Sequence, residues 1–326
     1  MARVSVVVAT SNRKDALAAT LDSILEQKFS DIELIVSDDG SADGTGLFVL
    51  SRLGPDPSRA EHVWKDSLHE ENGSRSVQMQ CGAVPVRYLH QIVSRGVGAA
   101  RNRAIHLAIG DYLCFADPGD VWAPARLDAQ MRVLEESDDF HACVTLAGAP
   151  SRTRRRSAPP ATLEVPFEDA LTPPGLLLSG ALIRRSAVDW EGPFDENLPS
   201  CEEYDFWLRV ATRFRIARIE EDLHTPNPLL SGANVWSLDR YRVYAMEKSF
   251  QSGHLSPLQR HRVATMLIDC CGQLADGYRQ RANQERANFY DRKRKRFASE
   301  VSKLDLGDPI LLARGRRDRR ATSVPA

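Results

Sequence analysis

Two acidic turns contain the residues of this sequence whose types and spacing could do chemistry. Asp38 and Asp39 follow one short apolar run, and Asp117 and Asp120 follow another. Aspartate, glycine and serine are good turn formers, so one acidic turn would be unremarkable. Two such turns at the same edge of one sheet concentrate negative charge, which is costly unless a cation, sugar hydroxyls or the edge of a base uses it. The pair therefore favours a binding site.

The apolar pattern predicts the elements that position these turns. Residues 4–9 form a continuous β-branched run, typical of a central parallel strand covered on both faces. A helix follows, with apolar residues at helical spacing: Leu17, Leu21, Ile24 and Leu25. A second strand over residues 32–36 completes a βαβ unit, and residues 112–116 form a later strand. Because ligands of an open α/β sheet bind outside the carboxyl ends of its strands, both turns are expected at a binding edge.

The remaining segments predict the domain organisation. An α/β domain is expected over residues 1–222, with loop insertions at 54–85, which is rich in charge, Gly, Ser and Pro, and at the basic, Pro-rich 151–160. A helical extension is expected over 223–302, where one long amphipathic helix needs a partner surface. This extension either closes over a substrate site or builds a homodimer. Residues 303–326 are expected to form a basic, disordered tail.

Composition and charge exclude several classes of protein. Lys and Arg number 43 against 44 Asp and Glu, so no global charge argues for nucleic acid as a partner. No run approaches the roughly 18 apolar residues that a membrane span requires. The six cysteines show no paired spacing, which predicts reduced thiols in a cytoplasmic protein. The basic runs at 292–296 and 314–320 predict a solvated helix end and tail, or else a contact with an anionic membrane surface or an acidic acceptor.

Seven motifs in order are similar to those of the family 2 glycosyltransferases, which have the GT-A fold. They span residues 4–13, 38–45, 98–102, 115–124, 179–185, 192–196 and 202–209. Each motif is weak alone, but the ordered set covers most of residues 3–215. The resemblance implies an α/β, Rossmann-like, mostly parallel mixed sheet with helices on both faces, followed by a C-terminal helical extension. It also implies an inverting transfer of sugar from a nucleotide-diphosphate sugar, UDP-sugar favoured, to a hydroxyl of a saccharide, lipid-linked or small-molecule acceptor.

The same resemblance implies roles for individual residues. The donor site would contain Ala9, Thr10, Asn12, Arg13, Asp38, Asp39, Arg101, Ala116 and Asp117. Asp38 would accept an N–H of the base. Asp117 and Asp120 would hold a divalent cation, Mn²⁺ or Mg²⁺, which stabilises charge on the leaving nucleoside diphosphate. Glu203, with its neighbour Glu202, would supply the general base that removes the acceptor proton and so inverts the anomeric centre in one displacement.

The sequence departs from the family pattern near the expected metal site. The usual Asp-x-Asp-Asp is here Asp117-Pro118-Gly119-Asp120, so glycine replaces the second aspartate. Residues 225–231 stand where some relatives carry a Gly-His segment, and the nearby His224 is a lone histidine. These departures leave two alternatives to a metal-dependent transferase. One is a metal-independent transferase, and the other is a catalytically inactive relative that binds a nucleotide or a partner protein.

Other nucleotide-binding enzymes fit the sequence less well. Gly96-x-Gly98 resembles a dinucleotide fingerprint, but Arg101 stands where a small residue must permit close packing, and the motif follows the third strand rather than the first. A sugar nucleotidyltransferase would need a glycine-rich, basic phosphate loop after the first strand. Residues 9–13 contain no glycine. Both classes are therefore disfavoured.

Overall fold

A computed structural model describes residues 2–69, 74–148, 162–172, 175–227 and 235–303. The chain divides into two compact units, Met1–Asn234 and Val235–Ala326. The predicted loop at 151–160 and nearly all of the predicted basic tail lie outside the described residues.

One mixed sheet contains all eleven strands found in the described residues of the first unit. The strands are β1 (Val4–Thr10), β2 (Ile32–Asp39), β3 (Leu68–His69), β4 (Ser74–Cys81), β5 (Val84–Gln91), β6 (Tyr112–Ala116), β7 (Val121–Trp122), β8 (Phe140–Ala147), β9 (Thr162–Glu164), β10 (Ala181–Arg184) and β11 (Arg215–Thr225). Their order is β3-β4-β5-β2-β1-β6-β10-β8-β11-β7, and β9 also pairs with β11. The neighbours β5, β2, β1 and β6 are parallel, as expected for the buried centre of such a sheet.

Helices cover both faces of this sheet. They are α1 (Lys14–Leu25), α2 (Thr45–Leu53), α3 (Ala60–Asp66), α4 (Val97–Leu107), α5 (Arg126–Glu136), α6 (Phe167–Leu171), α7 (Arg185–Glu191) and α8 (Glu202–Arg213). Val6 and Val8 of β1 belong to a core cluster with α1 and α5, whereas Val7 belongs to a second cluster with α4 and α8. Side chains alternate across a strand, so the continuous apolar run of β1 fills both cores. The predicted GT-A-like α/β fold is confirmed.

Residues 54–85 differ from the loop expected from their composition. They contain α3 and the strands β3 and β4, and β4 pairs antiparallel with β5 along its whole length. Only Val77 of β4 is fully buried, where it packs with Leu50 and Ala60. The polar composition reflects an edge strand with one covered face, which a search for continuous apolar runs misses.

The second unit contains three helices in its described residues. They are α9 (Val235–Gln251), α10 (Pro257–Gln280) and α11 (Gln284–Lys303). Ser256 starts α10 with a capping box, in which its side chain and that of Gln259 each accept a bond from the other residue's backbone N–H. Apolar residues of α10 and α11 are buried in this unit: Val263, Leu267, Cys271, Leu274, Ala287 and Phe297. None of the helices described is both long and apolar enough to cross a bilayer.

Candidate functional site

The carboxyl ends of β1, β2 and β6 place the predicted site residues side by side. Thr10 pairs with Asp38 across β1 and β2, and Val8 pairs with Ala116 across β1 and β6. Ala9 and Thr10 are buried at the end of β1, as is Ala116 at the end of β6. Because parallel strands end at the same edge of a sheet, the two acidic turns lie there together.

Arg101 is the centre of this site. Its guanidinium is almost fully buried and donates to three carboxylates: to Asp117 at 2.9 Å, to Glu202 at 2.9 Å and to Glu203 at 2.7 Å. The three acids differ in exposure. The side chain of Glu203 is 28% exposed, that of Asp117 is 19% exposed and that of Glu202 is 9% exposed. Glu203 is therefore the carboxylate of this cluster that a substrate reaches most easily.

Two helices that are distant in sequence bring this cluster together. Arg101 lies in the second turn of α4, and both glutamates lie in the first turn of α8. Asn102 joins α4 to the loop before α8: its Nδ2 donates to the carbonyl of Phe194 and its Oδ1 accepts from the Phe194 N–H, both at 2.9 Å. Cys201, just before α8, has a φ of 66°, a left-handed conformation that is strained for a residue other than glycine. The turn that presents Glu203 is thus held in a strained conformation by its surroundings.

The electrostatics of the cluster suit proton transfer at Glu203. Burial is the largest influence and raises the pKa of Glu203 to about 7; Asp117 and Glu202 act in the same direction, and Arg101 opposes them. Burial lowers the pKa of Arg101, but the three carboxylates outweigh it and raise that pKa above its usual value. A carboxylate that titrates near neutrality is well matched to accept a proton during a reaction.

Asp38 is completely buried at the end of β2. Its carboxylate accepts hydrogen bonds from the Tyr88 hydroxyl at 2.6 Å and the Ser41 N–H at 2.9 Å, and Nδ1 of His90 lies 3.4 Å away. Burial alone would raise the pKa of Asp38, but the nearby His90 and the bonds from Ser41 and Tyr88 outweigh it and hold that pKa below its ordinary value. Asp38 is therefore a buried anion, and its contact with a base stays a prediction.

Asp39 braces the loop that leads into α4. Its carboxylate accepts bonds from the Ser94 hydroxyl at 2.6 Å and from the backbone N–H groups of Arg95 and Gly96, both at 2.8 Å. These bonds fix the start of α4 relative to β2. Asp39 thus helps to position α4, and with it Arg101, through the backbone; the direct donor contact predicted for Asp39 stays a prediction.

Asn12 and Arg13 lie on the loop after β1. Asn12 has a φ of 50°, a conformation that asparagine tolerates better than most residues. It accepts a bond from the Ala42 N–H and donates its own N–H to the Ser41 hydroxyl, both at 2.8 Å. Arg13 is exposed at the start of α1. Asn12 therefore ties the loop after β1 to the loop after β2, and Arg13 is available to a ligand.

Asp117 and Asp120 have different environments although they share one turn. Asp120 is 1% exposed, and its two oxygens accept from the backbone N–H groups of Asp117, at 2.8 Å, and Asn227, at 2.9 Å. The buried His224 lies 3.6 Å from the same carboxylate and 3.2 Å from the Ser179 hydroxyl. Burial would raise the pKa of Asp120, but His224 and the two backbone N–H groups hold it low. In this position Asp120 stabilises the turn.

Gly119 is the residue that replaces the second aspartate of the family motif. It has a φ of 100°, and a Cβ there would lie 2.6 Å from Cγ of Asn227. The Asn227 side chain fills this space and donates to the Pro118 carbonyl at 2.7 Å. Sequence reasoning missed Asn227, since it lies 109 residues from Pro118 and no local pattern marks it.

These residues fit a divalent cation only in part. Among the residues that the structure describes, no group of three or more His, Cys, Asp or Glu side chains is arranged to hold a metal ion. Asp117 keeps a partly exposed carboxylate, whereas Asp120 would have to leave its hydrogen bonds to become a ligand. A site with Asp117 and donor phosphate oxygens is compatible with Mg²⁺ or Mn²⁺, which often take one or two carboxylates together with substrate phosphates.

Comparisons with known proteins agree with the predicted family. The family model described as "Glycosyl transferase family 2" matches residues 5–60 and 72–190. A UDP-Glc:alpha-D-GlcNAc-diphosphoundecaprenol beta-1,3-glucosyltransferase of Escherichia coli, WfaP, is 29% identical over 140 residues, which cover 43% of this chain and 44% of WfaP.

Two solved structures share the fold. The mannosyltransferase PcManGT from Pyrobaculum calidifontis, in complex with GDP-Man and Mn²⁺, has a TM-score of 0.58 and 18% identity over 96% of this chain and 79% of its own. S. aureus TarS 1–349, in complex with UDP-GlcNAc, has a TM-score of 0.53 and 17% identity over 91% of this chain and 92% of its own. At such identities the likeness concerns the fold alone.

Proposed function

Since the chain belongs to glycosyl transferase family 2, we propose that it is an inverting transferase that moves a sugar from a UDP-sugar to an acceptor hydroxyl. The observation that carries the proposal is Glu203, a partly exposed carboxylate with a pKa of about 7, held by Arg101 at the binding edge of the sheet. Neither a structural ion pair nor a turn needs a carboxylate with these properties.

Glu203 would act as the general base in a single displacement. The acceptor oxygen forms a bond to the anomeric carbon, the bond from that carbon to the diphosphate oxygen breaks, and the acceptor proton moves to Glu203. Arg101 and the Leu178 N–H, which lies 3.4 Å from the second oxygen of Glu203, orient the carboxylate. Attack from the face opposite the leaving group inverts the anomeric centre.

Asp117 and the loop after β1 would hold the donor. Ala9, Thr10 and Asn12 would form one wall of this site, and the exposed Arg13 would approach a phosphate. Where a divalent cation is bound, it supplies positive charge to the leaving diphosphate, and Asp117 is the residue that would hold it. Support for a UDP-sugar comes from the donor named for WfaP and from the UDP-GlcNAc bound to TarS. PcManGT binds GDP-Man instead, so the nucleotide needs a direct test.

A lipid-linked saccharide is the first acceptor to test. WfaP is named for a GlcNAc-diphosphoundecaprenol acceptor, and it is 29% identical to this chain over 140 residues. Short-chain polyprenyl diphosphate sugars with a free hydroxyl would serve as soluble versions of this acceptor. Transfer to them, and not to free saccharides, is the expected result.

Donor binding can be tested by thermal shift of the purified protein with UDP-Glc, UDP-GlcNAc and GDP-Man, each with and without Mn²⁺. A ligand at about a hundredfold its Kd stabilises by about 2.7 kcal/mol, which raises Tm by roughly 5–10 °C. We expect such a shift with a UDP-sugar. If no donor shifts Tm, the chain does not bind nucleotide sugars and the proposal fails.

The assignment of the base can be tested with a matched pair of variants. Glu203→Gln and Glu202→Gln each remove one carboxylate from Arg101, but only Glu203 is accessible enough to contact an acceptor. Glu203→Gln should lower kcat by about 10²–10⁴-fold while leaving the donor-induced thermal shift in place. Glu202→Gln should lower kcat far less. Equal losses in the two variants would contradict the assignment.

A metal-independent transferase is the second candidate, and the environments of Asp120 and Gly119 favour it. Asp120 is engaged in the protein, and Asn227 occupies the space of the missing aspartate side chain. Transfer that persists in excess chelator would support this candidate. Transfer that requires added Mn²⁺ would exclude it.

A further inference from the structure

The two units of the chain carry opposite charge. Residues 1–234 contain 24 Lys and Arg against 34 Asp and Glu, a net charge of −10. Residues 235–326 contain 19 Lys and Arg against 10 Asp and Glu, a net charge of +9. The net charge of −1 for the whole chain hides this difference. Such asymmetry is typical of chains in which the basic part contacts an anionic partner.

Three exposed cations of the second unit share one face of α11. Arg292, Lys295 and Arg296 are exposed, and Phe289, one turn before Arg292, is 45% exposed. Residues three, four and seven positions apart share a face of a helix, so these four side chains form a continuous strip, here called the basic face. The opposite side of α11 is buried through Ala287, Tyr290 and Phe297, which fixes the outward direction of the basic face.

Intramolecular ion pairs do not account for these cations. Other basic residues of the second unit pair within it: Lys293 with Glu247, Arg294 with Asp291, Arg279 with Asp276 and Asp291, and Arg260 with Glu300. Among the described residues of the second unit, no carboxylate lies within ion-pair distance of Arg292, Lys295 or Arg296. The basic face therefore presents three unneutralised cations to solvent.

We propose that the basic face binds the surface of an anionic lipid bilayer. Cations beside an exposed aromatic ring on a helix whose other side is packed are typical of segments that lie at a membrane interface. The cations would contact lipid headgroups, and the ring of Phe289 would enter the boundary with the acyl chains. A purely electrostatic partner such as nucleic acid gives no role to the exposed Phe289. The proposal does not depend on the proposed function, although a lipid-linked acceptor would make such binding useful.

The test is co-sedimentation of the full-length protein with vesicles of phosphatidylcholine alone or of phosphatidylcholine with phosphatidylglycerol. Binding is expected to the anionic vesicles only and should weaken as salt is raised, since the attraction is screened. Each cation near an anionic surface strengthens binding about fivefold, so Arg292→Glu/Lys295→Glu/Arg296→Glu should weaken it by at least about a hundredfold. Phe289→Ala, which leaves the charge unchanged, should weaken it by about tenfold.

A matched control separates the basic face from net charge. Lys28→Glu/Arg59→Glu/Arg132→Glu reverses three exposed cations of the first unit and changes the net charge by the same amount. This variant should bind anionic vesicles nearly as well as the unaltered protein, and circular dichroism should show native helix content in all variants. Equal weakening in both triple variants, or unchanged binding in Phe289→Ala, would overturn the proposal.

Two further outcomes would also overturn it. Binding of equal strength to neutral vesicles would show that charge is not the basis. Sedimentation without vesicles could also show that the unaltered protein is a dimer and that the triple variant of α11 is a monomer. That result would assign the basic face to a second copy of the chain, whose first unit is acidic. Because neither measurement uses a sugar, a failure of the proposed function would not alter these results.

Discussion

Replacing Gly119 by alanine should destabilise the first unit through two separate effects. The φ of 100° is costly for any residue with a Cβ, by about 1–3 kcal/mol. The new Cβ would also displace Asn227, which donates to Pro118 and Asp120, and each lost hydrogen bond contributes about 1 kcal/mol. The total is roughly 2–5 kcal/mol, which corresponds to a fall in Tm of roughly 5–15 °C.

Gly44 provides a control for the first effect. Its φ is 86°, but a Cβ there would meet nothing within 4 Å. Gly44→Ala therefore introduces backbone strain without a steric conflict. Urea denaturation should show that Gly119→Ala is less stable than Gly44→Ala by roughly 1–3 kcal/mol.

A double-mutant cycle with Asn227→Gly isolates the steric effect. Removing the Asn227 side chain makes room for the Cβ, so Gly119→Ala should cost less in the Asn227→Gly background, with a coupling energy of about 1–2 kcal/mol. Gly119→Asp, which restores the aspartate of the family motif, should be at least as unstable as Gly119→Ala. Equal stabilities of Gly119→Ala and Gly44→Ala, or a coupling energy near zero, would refute the view that Asn227 occupies the space of the missing side chain.

Four further predictions concern the acidic cluster and its loop. The transfer rate should fall as pH decreases through about 7, because protonated Glu203 cannot accept a proton, and a pH–kcat profile checks this. Since that pKa is raised on folding, the contribution of Glu203 to stability is present below its unfolded value and is lost as pH rises through about 7. Glu203→Gln should therefore show a flatter dependence of unfolding free energy on pH. Arg101→Met leaves three carboxylates without their cation. It should lower the free energy of unfolding, measured by urea denaturation, by about 3–5 kcal/mol at pH 8 and by less at pH 5. An equal loss at both pH values would contradict the ion-pair account. Asp39→Ala removes the acceptor of three hydrogen bonds and should lower the free energy of unfolding by about 1–3 kcal/mol. The amides of Arg95 and Gly96 should then exchange faster than in the unaltered protein, which would localise the effect.

The sequence by itself determined the fold and the edge at which the site lies. The apolar run of β1 predicts a strand buried on two faces, and the ordered motifs predict the GT-A arrangement, because burial in a strand or helix leaves a periodic mark on a short segment. The position of each acidic turn follows from the predicted end of the strand before it. The edge strand β4 was missed for the same reason: one covered face leaves only a weak apolar pattern.

Only the tertiary structure decided which of the predicted residues a substrate can reach. Arg101 meets glutamates that are 101 and 102 positions away, and the relative exposure of Glu202 and Glu203 depends on how α8 packs on α4. Asp120 turns inward because Asn227, 107 residues later, donates to it. Such contacts depend on the packing of elements that are far apart in the chain. That packing cannot be predicted from the residue types of a short segment.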